Sequence, residues 1–187
     1  MKPSFQLAAI ACALSLALAG CSQSTPSTSS TESVQQSQTV KQYDAETFFD
    51  TTSIMGSSFS PKGDKILVSS DESGIYSLYE VDIKTAKKTR LTDFEDSTYA
   101  VAYFPKDERV LFTKDSGGNE RYHIYVRETD GTVKDLTPGE ETRAGFAGFT
   151  EDGKHVFITS NQRDAKFMDL YRVDANSYEV TPVYQNT

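Results

Sequence analysis

The stretch FSPKGDKILVSSDESGIYSLYEVD, residues 59–82, decides the fold. A turn-forming Lys62-Gly63-Asp64 precedes the apolar run Ile66-Leu67-Val68, and a polar, glycine-bearing segment separates that run from Leu78-Tyr79. Short apolar runs rich in β-branched and aromatic residues, bounded by Gly and Asp turns, are typical of antiparallel strands joined by hairpins. The stretch therefore predicts the middle of a small antiparallel sheet.

The same pattern returns twice further along the chain. The Leu-Tyr type of pair recurs after 46 and again after 46 residues, and the Leu-Thr type after 45 and then 44. The recurring segments are Ile66-Leu67-Val68, Val110-Leu111-Phe112 and Val156-Phe157-Ile158, then Leu78-Tyr79, Ile124-Tyr125 and Leu170-Tyr171, then Leu91-Thr92, Leu136-Thr137 and Val180-Thr181. Three landmarks that keep one period indicate a structural repeat.

Each repeat predicts four strands, of which the first is rich in small residues such as Gly56, Ala100 and Ala144. Four strands at a period near 45 are the signature of a β-propeller blade. Small side chains in the first strand let blades approach closely around a central channel. The second and third strands are apolar on both faces because neighbouring blades cover them. We predict an all-β partial propeller of three four-stranded antiparallel blades, at about 54–95, 96–140 and 141–187.

One turn departs from the repeat. The first two strands are joined through Lys62-Gly63-Asp64 in the first repeat and through Asp152-Gly153-Lys154 in the third. The corresponding Lys106-Asp107-Glu108 of the middle repeat lacks glycine and is read as one residue shorter. Because glycine supplies the positive φ that such turns need, a different turn type is predicted there.

The first residues predict export. A positive start at Lys2 precedes the apolar run 5–19, which is too short to span a membrane and typical of a signal peptide, residues 1–20. Leu18-Ala19-Gly20-Cys21 resembles the lipobox of bacterial lipoproteins. That resemblance implies cleavage before Cys21 and lipid attachment at it. The alternative is an ordinary secretory signal with a chance cysteine.

A Ser/Thr/Gln-rich segment, residues 21–43, predicts a flexible tether between the lipid and the folded part, residues 44–187. Ser22, rather than Asp, follows the cysteine. By resemblance to Gram-negative lipoprotein sorting, this favours the periplasmic side of the outer membrane. Asp44 predicts an N-cap for a short helix over 45–49, whose two phenylalanines are expected to dock onto the domain.

Cysteine content and charge exclude several functions. The two cysteines are Cys12, which leaves with the signal, and Cys21, which carries lipid. The mature domain then has no disulfide, thiol nucleophile or cysteine metal site. The net charge of −8 becomes −9 when Lys2 is removed, which argues against binding to nucleic acid. No cofactor is predicted.

The strings KDSGGNERYHIYVRETDG (114–131) and SNQRDAKFMDLYRVD (160–174) carry a family resemblance. Residues 59–82 resemble blades of Tol-type periplasmic propellers and of the prolyl oligopeptidase family. These two strings, and DAETFF (44–49), are closer to the dipeptidyl-aminopeptidase and acylaminoacyl-peptidase branch of that family. The resemblance implies a seven- or eight-bladed propeller that gates and helps bind short peptides. An α/β-hydrolase domain with a Ser-Asp-His triad follows it in the family.

No catalytic residue is predicted within these 187 residues. A nucleophile elbow needs Gly-x-Ser-x-Gly, and the most similar segment, residues 56–60, lacks the final glycine and is predicted to be strand. His123 and His155 are single residues on predicted strands, so both are interpreted as structural or surface histidines.

Three polar segments are weaker candidates. Glu140-Glu141 is either an amine-binding acid pair, as in the dipeptidyl branch of the family, or a charged loop, which we favour. The segment 115–120 is a hairpin turn rather than a phosphate or calcium loop, because it lacks their residue spacing. In the segment 161–164, Arg163 and Asp164 are expected to pair with each other or cap the blade.

Three hypotheses follow. The chain is the N-terminal propeller fragment of a lipid-anchored serine peptidase whose hydrolase domain is missing, or a Tol-like propeller that binds a peptide or protein partner in the cell envelope, or a spacer. Three blades leave two apolar faces open, and the third repeat lacks the polar character of a terminal cap. This favours a truncated product over a self-associating small lipoprotein.

Overall fold

The computed structural model describes residues 40–187, in which Tyr43–Thr187 form a compact unit. The predicted signal peptide, the lipidation site Cys21 and the tether up to residue 39 lie outside the described residues. Within residues 40–187, no helix is both long and apolar enough to cross a membrane.

The described region consists of one short helix followed by strands in three groups of four. The helix is α1, Ala45–Phe49. The first blade contains β1 (Ile54–Phe59), β2 (Lys65–Ser70), β3 (Ser77–Asp82) and β4 (Lys88–Arg90). The second contains β5 (Thr98–Tyr103), β6 (Val110–Lys114), β7 (His123–Arg127) and β8 (Val133–Asp135). The third contains β9 (Ala144–Phe149), β10 (His155–Ser160), β11 (Asp169–Asp174) and β12 (Val180–Tyr184).

Each group forms its own sheet, with the strands hydrogen-bonded antiparallel in chain order. The repeat predicted from the sequence is also a repeat of register. Val68 pairs with Tyr79, Phe112 with Tyr125, and Ile158 with Tyr171. The predicted fold class, all-β with three four-stranded antiparallel blades, is confirmed.

The first strand of every blade contains a β-bulge, and the small residues lie there. The register of β1 shifts between Met55 and Ser58, and that of β5 between Ala100 and Ala102. Gly56 has a φ of +66°, and a Cβ atom added to it would lie 3.4 Å from the carbonyl oxygen of Ala100. A glycine here therefore allows both the bulged backbone and the close approach of β1 to β5.

The turns between first and second strands share one closing hydrogen bond. The amides of Ser60, Phe104 and Thr150 each donate to the carbonyl five residues later, at 2.9–3.0 Å. Gly63 and Gly153 have positive φ, whereas no described residue of 104–109 does. The middle turn therefore differs in type from the other two, as predicted. The prediction that it is one residue shorter was wrong, because a hydrogen bond with the same five-residue spacing closes all three turns.

The helix α1 begins as predicted, but its phenylalanines do not dock. The Asp44 carboxylate accepts a hydrogen bond from the amide of Thr47 at 2.8 Å. Phe48 and Phe49 remain 67% and 85% exposed. The ring of Phe48 instead meets that of Tyr43 edge-on, with centroids 5.9 Å apart. A five-residue helix is too short to present a face to the sheets and also turn both rings inward.

Two hydrophobic clusters join the blades. The blade 1–2 cluster is formed by Leu67, Leu78, Tyr103, Val110 and Phe112. The blade 2–3 cluster includes Leu111, Ile124, Val126, Val156, Ile158, Tyr171 and Val173. Successive residues of β6 alternate between the two clusters, as the period of a strand requires. The second blade is therefore apolar on both faces because each face packs against a neighbour.

At the end of the blades where first and second strands join, Arg109 connects blades 2 and 3. Its guanidinium donates hydrogen bonds at 2.6 Å to the carbonyl of Ala175 and to the hydroxyl of Tyr178. The Tyr178 hydroxyl in turn donates to Glu128 at 2.6 Å. The guanidinium also lies 4.1 Å from the ring centroid of Phe104. This network fixes the relative position of blades 2 and 3 at this end of the blades.

Candidate functional site at the loop end of the blades

In an antiparallel blade, the loop between the second and third strands and the connection to the next blade lie at the same end. We call this the loop end; it comprises residues 71–76, 91–99, 115–122, 136–145 and 161–168, so it includes the first two residues of β5 and of β9. Backbone hydrogen bonds join these segments between blades. The amide of Thr98 donates to the carbonyl of Tyr76, and that of Ala144 to the carbonyl of Tyr122, each at 2.8 Å.

Three tyrosines cross the loop end in a row. The ring centroids of Tyr76 and Tyr99 are 5.4 Å apart, and those of Tyr99 and Tyr122 are 6.0 Å apart. The hydroxyl of Tyr76 donates to Ser53 at 2.9 Å, which anchors the first ring. Burial and the nearby carboxylate of Asp115 raise the pKa of Tyr122 above its ordinary value. The row forms an aromatic surface on which a peptide backbone or ring can pack.

Carboxylates border this tyrosine row. A cavity of about 350 Å³ is lined by Tyr99 and Tyr122 together with Asp96, Asp115 and Glu120. Asp96 accepts hydrogen bonds from the amide of Gly117 at 3.0 Å and from the Lys114 ammonium at 3.1 Å, which lower its pKa. Asp115 is buried and accepts from the amide of Glu120 at 3.0 Å. The acids thus also hold the loop 115–120 in shape.

His123 has an acid partner that its sequence neighbours do not reveal. Its Nδ1 lies 2.7 Å from the carboxylate of Asp135, which stands on the adjacent edge strand β8. The ring of Tyr125 stacks beside that of His123, with centroids 6.2 Å apart. Burial, followed by the charge of Asp135, raises the pKa of Tyr125 to about 12. Among residues 40–187, no hydroxyl hydrogen-bonds to His123, so this pair lacks the nucleophile of a triad.

Among the described residues, His155, the second histidine, has no comparable hydrogen bond to a carboxylate. Its Nε2 is 4.0 Å from Asp174 at the end of the blades opposite the loop end. That distance is longer than a hydrogen bond. The two histidines thus lie at opposite ends of their blades, and within residues 40–187 no serine hydroxyl hydrogen-bonds to either ring.

Glu140 and Glu141 occupy the loop that leads into the third blade. The Glu141 carboxylate lies 2.6 Å from the guanidinium of Arg121, and the same guanidinium donates to the carbonyl of Glu140 at 3.2 Å. With Glu141 already paired, this geometry favours the charged loop over the amine-binding acid pair.

The segment 161–164 forms a capped loop, but with a different partner from the one expected. Arg163 donates to the carboxylate of Asp169 at 2.5 and 3.0 Å, and not to Asp164. Asp164 accepts instead from the amide of Lys166 at 2.9 Å. The expected pairing of Arg163 with Asp164 was therefore wrong, because the loop turns back so that Arg163 reaches Asp169, the first residue of β11. The alternative expectation, that these residues cap the blade, agrees with this contact.

The Arg163–Asp169 pair gives a pH-dependent prediction. The Arg163 guanidinium, helped by the amide of Asn186 at 2.8 Å, lowers the pKa of Asp169 to about 2 from 3.8. A lowered pKa stabilises the fold above the unfolded-state value, and this contribution is lost as pH falls through the folded-state value. Asp169→Asn is therefore expected to lower the melting temperature at pH 7, with the difference from the wild type disappearing near pH 2.

The control for this measurement is Asp93→Asn. The Asp93 side chain is 90% exposed in its pair with Arg90, and such exposed pairs contribute little to stability. Melting followed by circular dichroism between pH 2 and pH 7 compares both variants with the wild type. A constant deficit for Asp169→Asn across that range would contradict the role assigned to its carboxylate.

Several residues of the loop end were not predicted from the sequence. The tyrosines 76, 99 and 122 stand 23 residues apart, half the blade period, and that spacing is a signal that can be read from the sequence. The pairing of His123 with Asp135 follows from strand neighbours and was readable only after register was known. Within the described residues, no cluster of three His, Cys, Asp or Glu side chains has the arrangement to hold a metal ion.

The three sheets resemble blades of known β-propeller proteins. The fold resembles TolB from Acinetobacter baumannii, with a TM-score of 0.52 and 25% identity, over 70% of this chain and 32% of that one. It also resembles a puromycin hydrolase, with a TM-score of 0.58 and 15% identity, over 73% of this chain and 21% of that one. The second likeness is a likeness of fold alone. The chain is a run of β-propeller blades.

Sequence similarity distinguishes among β-propeller proteins. Dipeptidyl aminopeptidase BIII of Pseudoxanthomonas mexicana is 37% identical over 93 residues, which cover 48% of this chain and 13% of that protein. No family model matches the chain. The predicted resemblance to the N-terminal propeller portion of the prolyl oligopeptidase family is confirmed. The chain spans only a small part of this curated relative.

Proposed function

We propose that these blades belong to a lipid-anchored serine peptidase of the prolyl oligopeptidase family and help to gate and bind its peptide substrates. The observation that carries the proposal is the 37% identity to a dipeptidyl aminopeptidase over 93 residues. The loop end supports it, because an aromatic row bordered by carboxylates can contact both the apolar and the charged groups of a peptide. Hydrolysis itself would be the work of a separate α/β-hydrolase domain.

The membrane anchor is part of the same proposal. Acylation of Cys21, followed by the polar tether 21–43, would hold the blades near the periplasmic face of the outer membrane. Several acyl chains exceed the two-signal threshold for stable anchoring. The net negative charge of the chain suits a body held away from an anionic lipid surface.

Labelling of the native gene product tests the peptidase proposal. An antibody against residues 44–187 isolates the product from its own cells, and a fluorophosphonate probe then labels any activated serine nucleophile. We expect a labelled polypeptide longer than 187 residues, and labelling that heat denaturation abolishes. A product of only 187 residues that takes no label would overturn the proposal.

The second candidate function is that of a Tol-like propeller that binds a protein partner in the cell envelope. It is favoured by the TolB likeness, which covers 70% of this chain at 25% identity. An unlabelled native product that co-purifies stoichiometrically with one envelope protein would favour this candidate over the peptidase.

A further inference from the structure

Arg143 differs from most arginines of the described region in having no partner for its side chain. Five others have guanidinium contacts: Arg90, Arg109, Arg121 and Arg163 with a carboxylate, and Arg127 with main-chain carbonyls. The guanidinium of Arg143 makes no hydrogen bond or ion pair among residues 40–187. An unpaired, exposed guanidinium on an acidic domain can bind an anion by donating hydrogen bonds to it.

The backbone beneath Arg143 is held rigidly. The buried side chain of Asn161 accepts a hydrogen bond from the amide of Arg143 at 2.6 Å and donates to the carbonyl of Glu141 at 3.2 Å. The amide of Asn161 returns a hydrogen bond to the carbonyl of Arg143 at 3.2 Å. The start of β9 is therefore fixed to the loop of the next hairpin, so a ligand that contacts Arg143 need not first order its backbone.

Arg143 stands at the rim of a cavity between blades 2 and 3. This cavity, of about 340 Å³, is lined by Tyr122, Ala144, Gly145 and Met168, with the hydroxyl of Thr159 also on its wall. A Cβ atom at Gly145 would lie 3.1 Å from that hydroxyl, so a side chain at this position would crowd Thr159. The lining thus combines an apolar wall with two charged side chains, Arg143 and Glu120. Next to the unpaired guanidinium, the apolar wall suits a small apolar group that carries a negative charge.

The surrounding charges limit the anion to one of low charge. Glu120 lines the same cavity, and its backbone adopts a φ of +58° that holds it in the loop. Glu141 lies in the adjoining cavity with Arg121, to which it is paired. These two carboxylates would repel a doubly charged phosphate more strongly than a singly charged carboxylate. A planar carboxylate also matches the fork of a guanidinium in a bidentate contact.

We propose that Arg143 binds a carboxylate of a peptide, either a terminal one or that of an acidic side chain, while the neighbouring apolar group enters the cavity between blades 2 and 3. The inference rests on the proposed function, since it names the part of a peptide that the loop end recognises.

Three capped peptides test the inference on the full chain. Acetyl-Ala-Leu-Ala carries a terminal carboxylate, acetyl-Ala-Asp-Ala-amide carries a side-chain carboxylate, and acetyl-Ala-Leu-Ala-amide carries neither. Dissociation constants are measured by NMR titration, followed at the amides of Ala144 and Gly145. We expect at least one carboxylate peptide to bind about tenfold more tightly than the neutral peptide, as one charged hydrogen-bonded contact would give. The tighter of the two identifies the source of the carboxylate.

The variants Arg143→Gln, Arg143→Lys and Arg172→Gln provide the controls. Arg172 is likewise exposed and without a side-chain partner in residues 40–187, but it lies on β11, paired across to Phe157 and away from the cavity. We expect Arg143→Gln to remove the tenfold preference, Arg143→Lys to retain part of it, and Arg172→Gln to leave it unchanged. Thermal melting confirms that the three variants are folded.

Two outcomes separate the role of Arg143 from the proposed peptide-binding function. Equal binding of all three peptides, unchanged by Arg143→Gln, would overturn the role of Arg143 and leave the peptide-binding function standing. Absence of binding by every peptide would overturn the inference and count against the loop end as a peptide site, whatever the fluorophosphonate result.

Discussion

Replacing Phe112 with alanine is expected to cost about 3–5 kcal/mol of the free energy of unfolding. Phe112 is 0% exposed, and its ring stacks against those of Phe94 and Tyr125, with centroids 6.2 and 5.3 Å away. Truncation leaves a cavity in the middle of the blade 1–2 cluster, where both neighbouring rings are held by their own strands or loops. Domains of this kind are stable by only about 5–15 kcal/mol in total, so the loss is a large fraction.

Urea unfolding of the full chain, followed by circular dichroism, measures this loss. With a slope of about 2 kcal/mol per molar urea, the midpoint should fall by about 2 M. Phe59→Ala is the matched control, because the side chain of Phe59, the last residue of β1, is 66% exposed. Its expected change is within about 0.5 kcal/mol. Equal effects of the two variants would contradict the packing of blades 1 and 2 against each other.

The fold could be predicted because the repeat constrains several levels of structure at once. The pair Leu78-Tyr79 and its counterparts at 124–125 and 170–171 define the period, and their register in the sheets is the same in each blade. The apolar character of Leu111 and Phe112, adjacent in sequence, requires a strand covered on both faces. In this chain the neighbouring blades cover both faces of β6, with Leu111 in one cluster and Phe112 in the other.

The site could be predicted only in part, because its contacts join segments that the repeat does not relate. Asp135 reaches His123 only because β8 is the edge strand beside β7. Arg163 pairs with Asp169 rather than with the adjacent acid because the loop turns back on itself. Side-chain partners in loops depend on the path of the chain, which local sequence preferences do not determine.

Local preferences also failed where an element was too small to pack. The cap at Asp44 was correctly predicted because capping is a contact within four residues. The prediction that Phe48 and Phe49 dock onto the domain was wrong, because apolar character alone does not place a side chain in a core. The exposure of Phe49 shows that composition indicates what could be buried, and geometry decides what is.

Replacing Cys21 with serine is expected to release the blades from the membrane fraction almost completely. Serine is close to cysteine in size but has no thiol, so it cannot accept the thioether-linked lipid that the lipobox resemblance implies. Without acyl chains, the remaining attraction of an acidic, polar chain to an anionic membrane is negligible. The apolar run 5–19 of an uncleaved signal could still hold the chain, so processing must be measured together with location.

Cys12→Ser is the matched control, because Cys12 lies within the predicted signal peptide and would be removed with it. Fractionation of cells, combined with mass spectrometry of the N-terminal peptide, separates the outcomes. We expect wild type and Cys12→Ser to be membrane-bound, acylated and to begin at residue 21, and Cys21→Ser to carry no lipid. Membrane-bound Cys21→Ser that begins at residue 21, or a wild type without acyl groups, would show that Cys21 is not the anchor. The polar segment 22–42 would then be a linker behind an ordinary signal peptide, and the blades would be free in the compartment to which they are exported.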